Sequence, residues 1–122
     1  MRTLGIHTSK FAFRSTGKAL EGAEPEAEAT RGTSVDQECI VGFIAVEKPD
    51  EKQPESVAGQ LVQDTLKRAE QLSVKRVVVY PYVHLTDEPG RPRVAMKVLD
   101  LVSGALSETL EVTRAPFGWY KA

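Results

Sequence analysis

Hydrophobic and polar positions alternate on two different periods along this chain. Thr3 to Phe13 places apolar residues at Leu4, Ile6, Phe11 and Phe13. This predicts two short strands, or one strand broken near His7-Thr8-Ser9. Glu38 to Val46 is a continuous, β-branched apolar run, as expected of a strand buried on both faces. Gly42 inside it predicts a bulge or a close backbone approach. After a polar connection, Glu47 to Gln53, Pro54 suits the first turn of a helix. Val57, Ala58, Leu61, Val62, Thr65, Leu66, Ala69 and Leu72 then form one amphipathic stripe, with Lys67, Arg68 and Glu70 toward water. Val77-Val78-Val79-Tyr80 predicts a second buried strand ending at Pro81. Thr86 to Arg93 reads as a turn broken by Pro89-Gly90 and Pro92. Val94, Ala95, Val98, Leu99, Val102 and Leu106 form the face of a second helix, which Gly104 weakens at its end. Leu110 to Thr113 alternates as a further strand.

Two helical crossovers between apolar strands imply an α/β fold, a mixed sheet with two main helices and some parallel pairing. The 122 residues make one domain, 1–122, large enough for a core without staples. Gly17 to Ser34 stands apart. It holds Glu21, Glu24, Glu26 and Glu28 and almost no large apolar side chain, and is expected to be a solvated loop.

Composition narrows the function. Sixteen basic against 17 acidic residues leave a net charge of -1, which excludes a protein gripping long stretches of phosphate backbone but permits a local nucleic-acid site. The one cysteine, Cys39, forms no internal disulfide and no multi-cysteine zinc site, which points to a reducing compartment. No apolar run approaches the ~18 residues of a membrane span, and the N-terminus lacks a signal peptide's features. The expectation is a soluble cytoplasmic domain with no membrane contact. His7 and His84 are the only histidines, and no metal-ligand spacing or phosphate-cradling glycine loop is present, so neither a metal nor a cofactor is expected.

Two segments carry candidate chemistry. Tyr80-Pro81-Tyr82-Val83-His84 follows a buried strand, and the carboxyl ends of strands in open α/β sheets are where ligands commonly lie. His84 there can orient a substrate or shuttle a proton; the residues alone favour a structural histidine. In Ala115 to Lys121, Phe117, Trp119 and Tyr120 crowd around Lys121. That suits a pocket with a lysine anchor, but also, and more simply, an aromatic strand closing the core.

Taken in order, these segments resemble a known family. Tyr80 to Leu85, Val94-Ala95-Met96 and Ala115 to Ala122 are similar to the N-terminal editing domain of archaeal threonyl-tRNA synthetases. So are Ile6-His7-Thr8, Lys18-Ala19-Leu20, Glu24-Pro25, the run Val41 to Lys48 and Asp50-Glu51-Lys52. The resemblance implies a fold like that of D-aminoacyl-tRNA deacylases, a homodimer, and hydrolysis of seryl-tRNA mischarged by a threonine enzyme. It implies as partners the 3′ acceptor end of tRNA(Thr) and a catalytic threonyl-tRNA synthetase domain, fused or separate. It carries His84 and Lys121 over as the side chains of the aminoacyl site, with Tyr120 beside them and Phe117 nearby. Backbone around Ala45, Val46, Tyr82 and Val83, with Ala95 and Met96, is expected to hold adenosine and serine. Family domains run on past the Lys-Ala pair and add an acidic residue near the site, which has no counterpart in these 122 residues. Two other readings stay open: a deacylase of D-aminoacyl esters on the same fold, and a non-catalytic tRNA-binding or dimerisation module.

Overall fold

The computed structural model describes residues 1–19, 23 and 32–121, and of Tyr120 only the main chain. Its strands are β1 (Arg2–Thr8), β2 (Phe11–Phe13), β3 (Ser15–Lys18), β4 (Thr33–Val35), β5 (Cys39–Ala45), β6 (Arg76–Pro81), β7 (Glu111–Arg114) and β8 (Trp119–Lys121). Its helices are α1 (Pro54–Leu72) and α2 (Pro92–Leu106), with short 3-10 turns at Lys48–Lys52 and Val83–Leu85. The central sheet runs β1-β5-β6-β7, and β2-β4 and β3-β8 form two-stranded ribbons. β1 is antiparallel to β5, whereas β5-β6 and β6-β7 are parallel, so the expected mixed α/β sheet with two helices is observed. It is compatible with the deacylase-like fold that the resemblance implies.

Strand alternation sorts the core into two faces. Ile40 and Ile44 of β5 and Val77 and Val79 of β6 join Val98, Leu99, Val102 and Leu106 of α2 in a large aliphatic cluster. Cys39 and Val41 of β5 and Val78 and Tyr80 of β6 point the other way, where Phe13 and Ala115 complete a smaller cluster edged by Phe11, Val35 and Phe43. Ribbon β2-β4 brings Phe11 and Phe13 onto that second face.

Pro54 begins α1 as expected. The helix ends where Ser73 turns left-handed (φ 55°) and the Val74 amide donates back to the Ala69 carbonyl at 2.9 Å. α2 begins two residues earlier than expected. Pro92 is its first residue rather than a breaker, because a proline's missing N–H costs nothing in a first turn. Gly42 marks neither a bulge nor a close approach: it pairs in register with Gly5, and a Cβ there would meet only the Val78 carbonyl oxygen at 3.9 Å. The segment read as a loop from Gly17 to Ser34 is bounded by strands, with Gly17 and Lys18 in β3 and Thr33 and Ser34 in β4. Of its interior, residues 20–22 and 24–31 lie outside the described residues. The polar connection Glu47 to Gln53 contains the first 3-10 turn.

Candidate active site at the carboxyl ends of β5 and β6

Lys121 converges on the end of β6 from a distant part of the chain. Its main chain pairs with Ser15 of β3. Its ammonium donates to the Trp119 carbonyl at 3.1 Å and to the Pro81 carbonyl at 3.5 Å, and lies 5.0 Å from the centroid of the Tyr80 ring. Tyr80 is buried, and burial first, then the neighbouring Tyr82, pushes its phenol above the usual value. A neutral ring face under an ammonium is a favourable contact. Lys121 is thus a half-buried cation oriented by two carbonyls and an aromatic face.

From Tyr80 the aromatic contacts run outward. Phe43 lies 5.0 Å from Tyr80 and 5.9 Å from Tyr82, and Tyr82 meets the His84 imidazole at 5.3 Å and 72°. The Tyr82 amide donates to the Ile44 carbonyl at 2.8 Å, which ties the end of β6 to the end of β5. Tyr82, Val83 and His84 themselves are exposed. The result is an open ledge, apolar and aromatic, with a fixed cation at its root.

At this point the sequence comparisons decide the family. The profile described as the archaea-specific editing domain of threonyl-tRNA synthetase matches residues 1–122. The chain belongs to that family. It is 44% identical over 122 residues to a threonine--tRNA ligase of Methanococcus maripaludis, covering 100% of this chain and 19% of that protein. It is 42% identical over 123 residues to that of Thermococcus gammatolerans, and 39% identical over 123 residues to that of Pyrococcus horikoshii, covering 100% of this chain and 20% of each. The chain therefore spans about a fifth of the length of these curated relatives.

Not every expected site residue of this editing domain gathers at the ledge. Lys121, Tyr82, Val83 and His84 share the end of β6. Ala45 and Val46 are buried at the end of β5, and the Val46 carbonyl accepts from the Gly90 amide at 2.9 Å. Ala95 is buried in the aliphatic cluster, Met96 lies in a shallow groove on the outer surface of α2, and Phe117 packs against the aliphatic cluster. The Tyr120 main chain pairs with Gly17; its side chain lies outside the described residues, as does Ala122. A groove of about 440 Å3 between β1, β5 and α1, lined by Thr3, Gly5, Gly42, Asp64 and Arg68 among others, contains none of the expected residues.

Just after β5 the fold assembles a set of acidic side chains that no local sequence pattern marks. Glu47 Oε2 accepts the Thr86 hydroxyl at 2.7 Å, and Glu47 Oε1 pairs with the Met1 ammonium at 3.0 Å. Asp50, buried, accepts the Glu47 amide at 2.7 Å and the Met1 ammonium at 2.8 Å. Glu51 accepts the Arg91 amide at 2.7 Å, a carboxylate at the start of α2 where the helix dipole favours negative charge. The Thr86 hydroxyl, then the Met1 ammonium, hold the Glu47 carboxyl below the usual range against the opposing effect of burial. The Arg91 amide does the same for Glu51. Burial works to lower the Met1 amine, but its hydrogen bonds to Asp50 and Glu47 prevail and raise it. The one available signal was a cluster of mixed charges directly after a buried strand, which reads as an ordinary polar connection until its partners are known.

Proposed function

We propose that this domain hydrolyses L-seryl-tRNA(Thr) and spares L-threonyl-tRNA(Thr). The observation that carries the reading is the convergence of Lys121 on the Pro81 carbonyl, at the root of the Tyr82-Val83-His84 ledge, in a chain of this editing-domain family. The chemical need is general. Serine lacks one methyl group of threonine, and a pocket discriminates against a missing methyl by only about 1–3 kcal/mol. A second, hydrolytic site restores fidelity if its walls exclude the larger side chain.

In this reading the terminal adenosine lies along the ledge, against the backbone of Ala45, Val46, Tyr82 and Val83. The exposed Tyr82 ring offers a stacking surface. Ala95 and Met96, in the first turns of α2, lie away from the ledge and take no part in its lining here. Water adds to the ester carbonyl carbon, its proton passing to the ribose through the tRNA's own terminal 2′-hydroxyl. Collapse of the tetrahedral intermediate breaks the acyl C–O bond and leaves free serine and a protonated ribose oxygen. Lys121 places a cation where the carbonyl oxygen gains charge, the type of stabilisation that preorganised groups supply. Its carbonyl contacts also suit it to hold the substrate in place. His84, on the ledge, holds the substrate or the attacking water. No cofactor takes part.

The partners in this reading are the acceptor end of tRNA(Thr), a catalytic threonyl-tRNA synthetase unit and a second copy of the chain, in the cytoplasm. Among the described residues no helix is long and apolar enough to cross a membrane. A deacylation time course on matched L-seryl-, L-threonyl- and D-seryl-tRNA(Thr) tests the activity. Fast loss of L-serine alone is the expected result. Preferential loss of D-serine moves the domain to the D-aminoacyl deacylases, and no loss of any ester leaves a binding module. Light scattering on the free chain tests the homodimer.

A further inference from the structure

We propose that Glu47 is a positioning residue for His84 and acts through Thr86. This rests on the reading that His84 faces the substrate. His84 has little to hold it directly. Its imidazole is exposed, touches the edge of the Tyr82 ring, and makes no hydrogen bond to a described residue. Its orientation therefore follows from the turn that carries it.

That turn is short and fastened at both ends. At its start the Tyr82 amide is held by the Ile44 carbonyl at 2.8 Å. Within it, Leu85 donates to the Tyr82 carbonyl at 3.3 Å and Thr86 to the Val83 carbonyl at 3.1 Å. At its end the Thr86 side chain is fastened to the exit of β5: its hydroxyl donates to Glu47 Oε2 at 2.7 Å while accepting the Glu88 amide at 3.0 Å. Main-chain bonds from Lys48 to the Glu88 carbonyl (3.0 Å) and from Gly90 to the Val46 carbonyl (2.9 Å) continue the seam.

Glu47 is suited to anchor such a clasp because it cannot swing freely. Its side chain is 17% exposed, with the Met1 ammonium on one oxygen and Arg2 Nε at 3.5 Å from the other, both from β1 and its approach. Its own amide is capped by Asp50. A charged acceptor makes a hydroxyl hydrogen bond shorter and stronger than a neutral one does. The clasp spans 39 residues of sequence and ends two residues from His84. It acts on the imidazole only through the backbone of the turn, so removing it displaces His84 without removing a group that touches substrate. A misplacement of about 1 Å at a reacting centre can cost up to about a hundredfold in rate.

Thr86→Val deletes the hydroxyl and keeps the side-chain shape, Thr86→Ser keeps the hydroxyl, and Glu47→Gln weakens the clasp from the other partner. Two readouts are taken on the full chain. The first is the position of the His84 imidazole carbon–proton NMR signal, with His7, the other imidazole of the chain, as internal control. The second is kcat and KM for L-seryl-tRNA(Thr). Thr86→Val is expected to move or broaden the His84 signal, leave His7 in place and lower kcat about tenfold with little change in KM. Thr86→Ser is expected to restore both, and Glu47→Gln to shift His84 in the same direction. In a His84→Ala background, Thr86→Val should cost nothing further. An unmoved His84 signal in Thr86→Val overturns the proposal, as does an undiminished kcat loss in the His84→Ala background. If Thr86→Val does not fold, Glu47→Gln decides on the same two criteria. A parent chain that cleaves no ester refutes the hydrolytic reading instead, and the imidazole signal still decides whether the clasp positions His84.

Discussion

The two faces of the central sheet do different work. One is aliphatic and covered by α1 and α2. Its side chains, such as Val98, Leu99, Val102 and Leu106, are almost wholly buried. The other is smaller and aromatic, with Phe11, Phe13, Phe43 and Tyr80 packed at centroid distances of 5.0–6.2 Å and Lys121 set against the last of them. Branched aliphatics interdigitate closely but offer no polar handle. Aromatic rings cover area, orient neighbours by their edges and faces, and tolerate a cation. The aliphatic face therefore supplies most of the stability, and the aromatic face locates the groups of the candidate site.

Substitutions can break that division. Leu99→Ala, at the centre of the aliphatic face, is expected to lower unfolding free energy by about 3 kcal/mol in a denaturant titration. Whatever folded protein remains should keep its ester-cleaving rate per molecule. Lys121→Met should do the converse: deacylation slows about a hundredfold, worth roughly 2.7 kcal/mol of transition-state stabilisation, while Tm stays within a few degrees. A Lys121→Met chain that melts as early as Leu99→Ala would erase the distinction, and an unchanged rate would remove Lys121 from the mechanism. Phe43→Leu lies between the two. It breaks ring contacts with Phe11, Tyr80 and Tyr82, and is expected to cost about 1 kcal/mol of stability together with a few-fold loss of rate.

The smallest effect is electrostatic. The Glu47 carboxyl is held below its ordinary value in the folded chain, chiefly by the Thr86 hydroxyl. Its ionised form thus favours the fold. That contribution is fully present above the unfolded value near 4.5 and is lost as pH falls through the lower folded value. Glu47→Gln should flatten the acid limb of a stability-against-pH curve in that window and leave the curve parallel to the parent's above it, up to the range where the Met1 amine titrates. An identical acid limb would show that Glu47 is not linked to folding.

Much of the scaffold is legible in the sequence alone. The apolar run ending at Ala45-Val46, the stripe from Val57 to Leu72 and the run ending at Tyr80 each declared the right element. The errors fell where local signals are ambiguous. Pro92 breaks a helix interior but starts a helix equally well, and glycine in a strand need not kink it. Of the site, His84 and Lys121 were singled out, but the residues alone gave His84 no partner and Lys121 no ring beneath it. Glu47, Asp50 and Glu51 looked like solvated charge, because an acid's partner can sit 39 residues away.

Which residues share a face was therefore settled by the sequence itself. A strand alternates every residue and a helix returns every three to four, so Val77 and Val79 part from Val78 and Tyr80 by backbone geometry alone. Which elements become neighbours was settled only by the tertiary structure. The antiparallel pairing of β8 with β3 brings Lys121 to a carbonyl 40 residues earlier, and the parallel register of β5 and β6 brings Glu47 to Thr86. No local period encodes such meetings, because they depend on how the whole set of faces is buried at once.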